Sequence, residues 1–486
     1  MLFNSVSYLI LLILTVFLYW KFKRNYRLWL ILVASCFFYG AWSPEFLVVL
    51  ILSVSIDFYS ASKIQVSTTK RNKNFWLLLS LFTNLALLFI FKYYYFVVAN
   101  ISFALNILGL QLSIPFYQII LPLGISFYTF EAISYVVDVH RGFIRAERNF
   151  LKYICFIMFF PKLIAGPILR ARQIIPQFTE ANFKPNDFLS GVKRILYGLF
   201  LKVVLADNIA PFVDEGFLQN PLNLSAVDIW TLAFLFGLQI YFDFSAYSSI
   251  AIGSALLMGI KIPENFNYPY FSSSPKEFWQ RWHISLSSWI RDYLYLPLLG
   301  VRVRDKEVGG SNLAYVSDAT RSLHVATFAL FLTWGIMGLW HGATWGFVAW
   351  GIYHSCLIFG YRKISIYINL PKNVSNFVGW IITLPLIMLS WIPFRATDLS
   401  DAFYMLSKVV DFNQYSWLGM RENTYLVTAT LFICTGLWFL ITNYLKRCIR
   451  FPYPVIFIFK TAFLSFVIFM VFIFFRPTNQ FIYFQF

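Results

Sequence analysis

Uninterrupted apolar runs set the rhythm of this chain. Val6–Trp20, Leu28–Trp42, Phe46–Ala61, Phe75–Phe91 and Val455–Phe475 are nearly free of charge. A bilayer-spanning helix needs roughly 17–25 predominantly apolar residues. The strict apolar–polar alternation of an outer-membrane barrel strand is absent. A helix satisfies its own backbone groups in lipid. The pattern therefore predicts an all-α, polytopic transmembrane helical bundle. About ten or eleven spans are expected, forming one membrane-embedded domain over residues 1–486.

The pattern is less regular in the middle. Ile101–Ile114 is too short and too polar for a span. Leu151–Leu169 carries Pro161, Lys162, Gly166 and Pro167 and runs between two basic loops. That predicts a broken or re-entrant segment, which survives at membrane depth only inside protein or beside a water-filled cavity. Ser274–Leu299 holds Lys276, Glu277, Arg281, His283, Arg291 and Asp292 among many aromatics. It is too charged to face lipid and too apolar for a free loop. An amphipathic or partly buried helix is expected.

Composition supports this reading. Of 486 residues, 59% are hydrophobic and 13% charged, against about 25% charged in a soluble domain. The net charge of +17 would suggest nucleic acid in a soluble protein. Here the basic residues lie between apolar blocks, so they bear on orientation, and no nucleic-acid partner is expected. Lys21, Lys23, Arg24 and Arg27 follow the first block; Lys63, Lys70, Arg71 and Lys73 follow the third. The positive-inside rule places both clusters in the cytoplasm. Arg141–Lys152, Arg170–Arg194, Lys261–Lys306, Arg362–Lys372 and Lys446–Arg450 are assigned inside as well, and the acidic Asp214–Asp228 outside. Met1 and Phe486 then both fall outside. The first block lacks a basic lead and a small-residue cleavage site, so it reads as a retained span. Cys36, Cys155, Cys356, Cys434 and Cys448 show no metal-ligand spacing. Neither a disulfide framework nor a zinc site is expected.

An intramembrane charge costs about 2.5–3.5 kcal/mol on insertion scales. Asp57, Glu131, Asp138, Asp207 and Asp243 nevertheless lie in or beside apolar helices. Ion pairs or hydrogen bonds within the bundle are their ordinary explanation. For Asp243, set among hydroxyls and aromatics in Tyr241–Tyr247, structural and functional roles are equally open. Of the five histidines, His140 and His324 sit beside basic residues at helix ends and read as interfacial. His354, four residues after Trp350, reads as packed.

His341 differs. Glycines and tryptophans alternate around it from Trp334 to Gly346. Glycine permits close approach of backbone or substrate, and tryptophan supplies bulky walls with one donor each. A lone buried histidine is ordinarily a satisfied core residue. His283, in the polar and aromatic stretch Phe278–Tyr293, shifts the balance. Trp282, Ser285 and Trp289 fall at helical spacing beside it. Zinc normally takes three or four protein ligands, so two histidines favour acid/base chemistry over a metal site.

At these residues the chain resembles the membrane-bound O-acyltransferases. The similar branch contains the alginate O-acetylation protein and the D-alanyl transfer protein of teichoic acid synthesis. The resemblance runs through Leu121–Phe130, Ala165–Arg170, Pro263–Tyr270, both histidine segments and the closing Phe481–Phe486. The ordered set is specific where any single motif is weak. In one place the chain departs: Ser249 stands after Asp243-Phe244-Ser245-Ala246-Tyr247-Ser248, where the family pattern leads us to expect an acid.

The resemblance implies a helical bundle around a central tunnel, in the cytoplasmic (inner) membrane of a bacterium. It implies acyl transfer from a cytoplasmic donor, acetyl-CoA, toward hydroxyls of an extracytoplasmic polysaccharide. No tightly bound cofactor is implied. A periplasmic esterase-like O-acetyltransferase and a polysaccharide synthesis complex are the implied partners, besides membrane lipid. The catalytic histidine maps onto His341 and the second site histidine onto His283. On this reading His341 is the general base, and His283 orients the acceptor or hydrogen-bonds to the developing oxyanion. Trp340, Trp282, Asp243 and Asp292 are supporting candidates. Arg281 and Arg291 could meet the donor's phosphates, or simply anchor the cytoplasmic side. A transporter or flippase, a structural scaffold and D-alanyl transfer remain as alternatives.

Overall fold

A computed structural model describes residues 2–110, 119–305, 313–316, 323–367, 371–442 and 452–476. Met1, Phe486, the closing Phe481–Phe486 stretch, Cys448 and the Lys446–Arg450 basic run lie outside the described residues.

The chain is a polytopic bundle of α-helices with one short antiparallel ribbon, Arg302–Asp305 against Leu313–Val316. Among the described residues, eight helices are long and apolar enough to cross a membrane. Two shorter helices, the apolar Val6–Lys21 and Arg24–Gly40 with its basic first turn, have 16 and 17 residues. At 1.5 Å per residue these reach about 24–26 Å, less than a hydrocarbon core of about 30 Å. The ten or eleven spans expected from sequence thus stand at eight by length and composition. Residues 101–107 are the end of a continuous 38-residue helix, Lys70–Ile107, with one π-helical turn at Phe89–Tyr93. Ile13, Phe82, Phe469 and Phe472 are exposed on the outside of the bundle, as suits side chains that face lipid.

The central element is Ala226–Leu257, a 32-residue helix opened by a capping box in which Ser225 and Asp228 each bond the other's backbone N–H. It is buried almost throughout and packs against the helices Pro185–Leu199 and Lys372–Arg395. Beside it, Leu323–His341 and Trp345–Ile364 form a tight helical hairpin. A Cβ at Gly338 would collide with the Phe347 carbonyl, and one at Gly351 with the Trp334 carbonyl. These glycines serve close helix–helix approach.

The intramembrane acids have protein partners. Asp57 accepts hydrogen bonds from Ser80 and Asn84. Lys202 pairs with both Asp207 and Asp243 at 2.8 Å. Asp138 accepts from the Tyr293 hydroxyl. Glu131 pairs with Lys162 and accepts the Leu169 N–H. That last pair holds the irregular segment predicted by the prolines. After the helix Phe150–Met158, residues 159–170 run without regular structure and are buried. The Ile168 N–H donates to Ser285 Oγ at 2.9 Å, so protein groups satisfy this backbone at depth.

One expectation needs correction. Ser274–Leu299 is not one helix. It divides into Pro275–Arg281, Ile284–Ile290, a π-helical turn at Arg291–Tyr295 and the short Leu296–Leu298. The break falls at His283, whose backbone is left-handed at φ 42° and ψ 55°. Trp282, Ser285 and Trp289 therefore do not share one helical face.

A candidate active site of buried histidines

His341 is the last residue of the Leu323–His341 helix and is 4% exposed. Its ring is enclosed by edge-on aromatics: Trp340 at 5.0 Å, Trp350 at 4.9 Å and Phe394 at 5.5 Å between centroids. The helix end is closed by a cation from a distant part of the chain. Lys92 Nζ donates to the Trp340 carbonyl at 2.6 Å and to the His341 carbonyl at 3.1 Å. A helix C-terminus carries unsatisfied carbonyls and partial negative charge, which an ammonium complements.

His283 is fully buried and held differently. Its Nδ1 lies 3.1 Å from Asn265 Oδ1, and its ring packs on Phe244 at 4.6 Å and faces Phe127 at 6.5 Å. Phe127 in turn meets Trp340 at 5.9 Å. One aromatic ring thus separates the His283 side from the Trp340–His341 side. Trp340 stacks on Phe130 at 5.1 Å, and Phe130 on Trp289 at 3.9 Å, making a column behind the chamber. Trp282 closes the other side against Trp391 at 5.0 Å, which reaches Trp350 at 6.3 Å.

His354 joins this cluster. It lies 4.7 Å from Trp350, the same indole that flanks His341, and its Nδ1 accepts from Trp279 Nε1 at 3.3 Å. Several polar atoms here are buried and have no hydrogen-bond partner among the described residues: His283 Nε2, Trp340 Nε1, Trp350 Nε1, Trp391 Nε1 and His354 Nε2. Buried polar groups are normally paired, so such a concentration calls for water or a ligand.

A cavity of about 310 Å³ approaches this cluster. Its exposed lining is Lys276, Gln280, Arg291 and Arg362, with Ser287 and Ser288 half-buried. Its floor is Trp279, Trp334, Thr333 and Met337. Trp279 and Trp334 both touch the His354 ring, and Met337 lies one turn before His341.

The other candidate residues are placed apart from the imidazoles. Arg281 does not line this cavity; it pairs with Glu277 one turn back at 2.6 Å. Arg291 does, while its Nε holds Asp292 at 2.9 Å. Asp292 also faces Arg170 at 3.6 Å, so it fastens the irregular segment. Asp243 is committed to Lys202. Ser249 is buried on the central helix. Among the described residues, no three of His, Cys, Asp and Glu converge as a metal-binding group.

Sequence reasoning passed over Lys92, Asn265 and the contact of His354 with the cluster. Lys92 carried a usable signal, since it is a lone cation within an apolar helix. Asn265 and His354 are ordinary residues until tertiary packing gives them neighbours.

Fold and site together define an integral membrane protein with a cluster of buried histidines and, beside it, a cavity with basic residues in its lining. The family model described as MBOAT, membrane-bound O-acyltransferase family, matches residues 143–313. The chain is 39% identical over 361 residues to "Probable alginate O-acetylase AlgI" of Pseudomonas aeruginosa, covering 73% of this chain and 64% of that one. The Pseudomonas putida protein of the same name is 40% identical over 363 residues, covering 74% and 70%. "Peptidoglycan O-acetyltransferase" of Helicobacter pylori is 34% identical over 391 residues, covering 73% and 68%. This chain belongs to the membrane-bound O-acyltransferase family. It spans slightly less than two thirds of the length of the Pseudomonas aeruginosa relative.

Proposed function

We propose that this protein is an O-acetyltransferase of a bacterial cytoplasmic membrane. It takes an acetyl group from cytoplasmic acetyl-CoA and passes it toward hydroxyls of an extracytoplasmic polysaccharide. The observation that carries this reading is the joining of His341 and His283 in one aromatic chamber. The basic-rimmed cavity beside it fits a phosphate-bearing thioester donor. Alginate and peptidoglycan, named in the relatives, are both polysaccharide-containing polymers, which supports the acceptor class.

His341 takes the proton of the acceptor hydroxyl. The freed oxygen attacks the thioester carbonyl, a carbon–oxygen bond forms, and the carbon–sulfur bond breaks. The proton then goes to the departing sulfur. General-base assistance of this kind is worth about 10²–10⁴ in rate. Acetyl-CoA is a substrate in this scheme, so no resident cofactor is called for. A periplasmic esterase-like O-acetyltransferase and a polysaccharide synthesis complex would complete the transfer, and both termini of the chain would face that side.

The test uses the full chain in proteoliposomes with radiolabelled acetyl-CoA on the side of the basic cavity lining. Label should pass to a hydroxyl-bearing acceptor, and His341→Ala should insert normally but transfer nothing. Undiminished transfer by His341→Ala would overturn the assignment. Uptake of unmodified saccharide without label transfer would favour a transporter, and transfer only of D-alanine from a carrier protein would reassign the donor.

A further inference from the structure

Asn265 lies in an irregular stretch between the central helix and the histidine segment, and it is fully buried. Its side-chain oxygen meets three groups: the Ser285 N–H at 3.2 Å, the Ser285 hydroxyl at 2.9 Å and His283 Nδ1 at 3.1 Å. Its amide nitrogen donates to Ser248 Oγ at 3.1 Å. Its backbone carbonyl accepts the Ile284 N–H at 2.9 Å. A backbone N–H can only donate, so the atom facing Ser285 must be the amide oxygen. Ser285 Oγ meanwhile accepts the Ile168 N–H, and its own proton has the same oxygen at 2.9 Å and His283 Nδ1 only at the longer 3.5 Å.

An acceptor oxygen 3.1 Å from an imidazole nitrogen requires a proton on that nitrogen. We infer that Asn265 is a positioning residue that locks His283 in the Nδ1–H tautomer, so that Nε2 offers a lone pair to a hydroxyl of the bound saccharide next to the one that reacts. His283 Nε2 is buried and lacks a hydrogen-bond partner among the described residues. A neutral imidazole in this tautomer cannot donate from Nε2, so the oxyanion-donor role open from sequence is withdrawn. His283 instead accepts a hydrogen bond from a neighbouring hydroxyl of the saccharide and so aligns the one whose proton goes to His341. The backbone at His283 is left-handed, a strained conformation of the sort found where geometry is functionally constrained. The meaning assigned to Nε2 rests on the acyltransferase reading; the tautomer does not.

The direct test is nitrogen-15 magnetic resonance of the full chain, ring-labelled at histidine, in proteoliposomes at neutral pH. Subtracting the spectrum of His283→Gln assigns the resonances. The expected result is a protonated Nδ1 and a bare Nε2 at His283. Asn265→Leu should lose the tautomer preference and slow acetyl transfer by on the order of 10–100-fold, as loss of a histidine-orienting partner commonly does. A protonated Nε2 in the unaltered protein overturns the inference, and so does an unchanged tautomer in a folded Asn265→Leu.

Asn265→Asp serves where the leucine variant does not fold. It keeps the acceptor oxygen and adds negative charge, which favours the imidazolium. The acid limb of the transfer profile should therefore move to higher pH, with activity recovered on the alkaline side. An acid limb that stays in place would count against positioning. A wild-type protein with the expected tautomer but no acetyl transfer would sink the acyltransferase reading and leave the tautomer assignment standing.

Discussion

The two site histidines are positioned by opposite means. His341 ends a regular 19-residue helix in a glycine-packed hairpin, with Lys92 across its last carbonyls. His283 sits at a break between two seven-residue helices, in left-handed backbone, held by side-chain hydrogen bonds and by the buried chain of residues 159–170. A helix end supplies direction through backbone geometry alone. An irregular segment needs every polar group paired by something else, and here the pairing runs through Asn265, Ser285, Glu131 and Lys162. The difference teaches that the His341 side should tolerate loss of one polar contact better than the His283 side.

The largest expected effect lies in the chemistry. His341→Ala should cut acetyl transfer by at least about 10²–10⁴ while leaving the unfolding midpoint in detergent close to that of the unaltered protein. A folded variant that keeps more than a tenth of the activity would remove His341 from the mechanism. Next comes the ion pair beneath the irregular segment. Removing one partner of a buried pair costs about 3–5 kcal/mol because the other charge stays buried. Lys162→Met should therefore lower the midpoint substantially. Hydrogen exchange should quicken first in residues 159–170 and around His283, with the His341 hairpin still protected. Uniform loss of protection would show that the two halves do not respond separately.

Much of this contrast follows the boundary of what could be read from sequence. The lipid-facing helices were legible because long apolar runs in a bilayer have one solution. The broken segment was legible from Pro161 and Pro167, which cannot extend a helix. The helical spacing of Trp282, Ser285 and Trp289 misled, because a periodic pattern does not report a backbone held in αL by tertiary hydrogen bonds. His341 stood out through its Gly/Trp neighbours, but Gly335, Gly338 and Gly342 proved to face the partner helix. Asn265, 18 positions from His283, and Lys92, 249 from His341, required the folded chain to become partners. Arg281, open in the sequence between a phosphate contact and a cytoplasmic anchor, pairs with Glu277 one turn back, a partner that its helical spacing made legible.

A smaller effect tests the regular side. Lys92→Met keeps the length and apolar stem of the side chain and removes the charge at the end of the His341 helix. A cation at a partly buried helix C-terminus contributes up to about 2 kcal/mol. The variant should lose that much or less, read as a modest fall in midpoint. Its acetyl transfer should slow through turnover rather than through the KM for acetyl-CoA, since Lys92 contacts the base-bearing helix end and not the cavity lining. A change confined to KM would place Lys92 on the donor instead.

The smallest effect carries the sharpest sign. At an ordinary helical position glycine is about 0.5–1 kcal/mol worse than alanine. At His283 the order should invert. With φ at 42°, a residue bearing a Cβ pays about 1–2 kcal/mol for left-handed backbone, and glycine pays none of it. His283→Gly and His283→Ala both lose the imidazole and its bond to Asn265, so these losses cancel in the comparison. Both should be defective in transfer, yet the glycine variant should unfold at the higher temperature, by a margin on the order of 1 kcal/mol. Thermal unfolding of the two proteins in the same micelle decides it. If alanine matches or exceeds glycine, His283 is not strained in the folded chain, and the contrast between a relaxed base and a constrained acceptor fails at its weaker end.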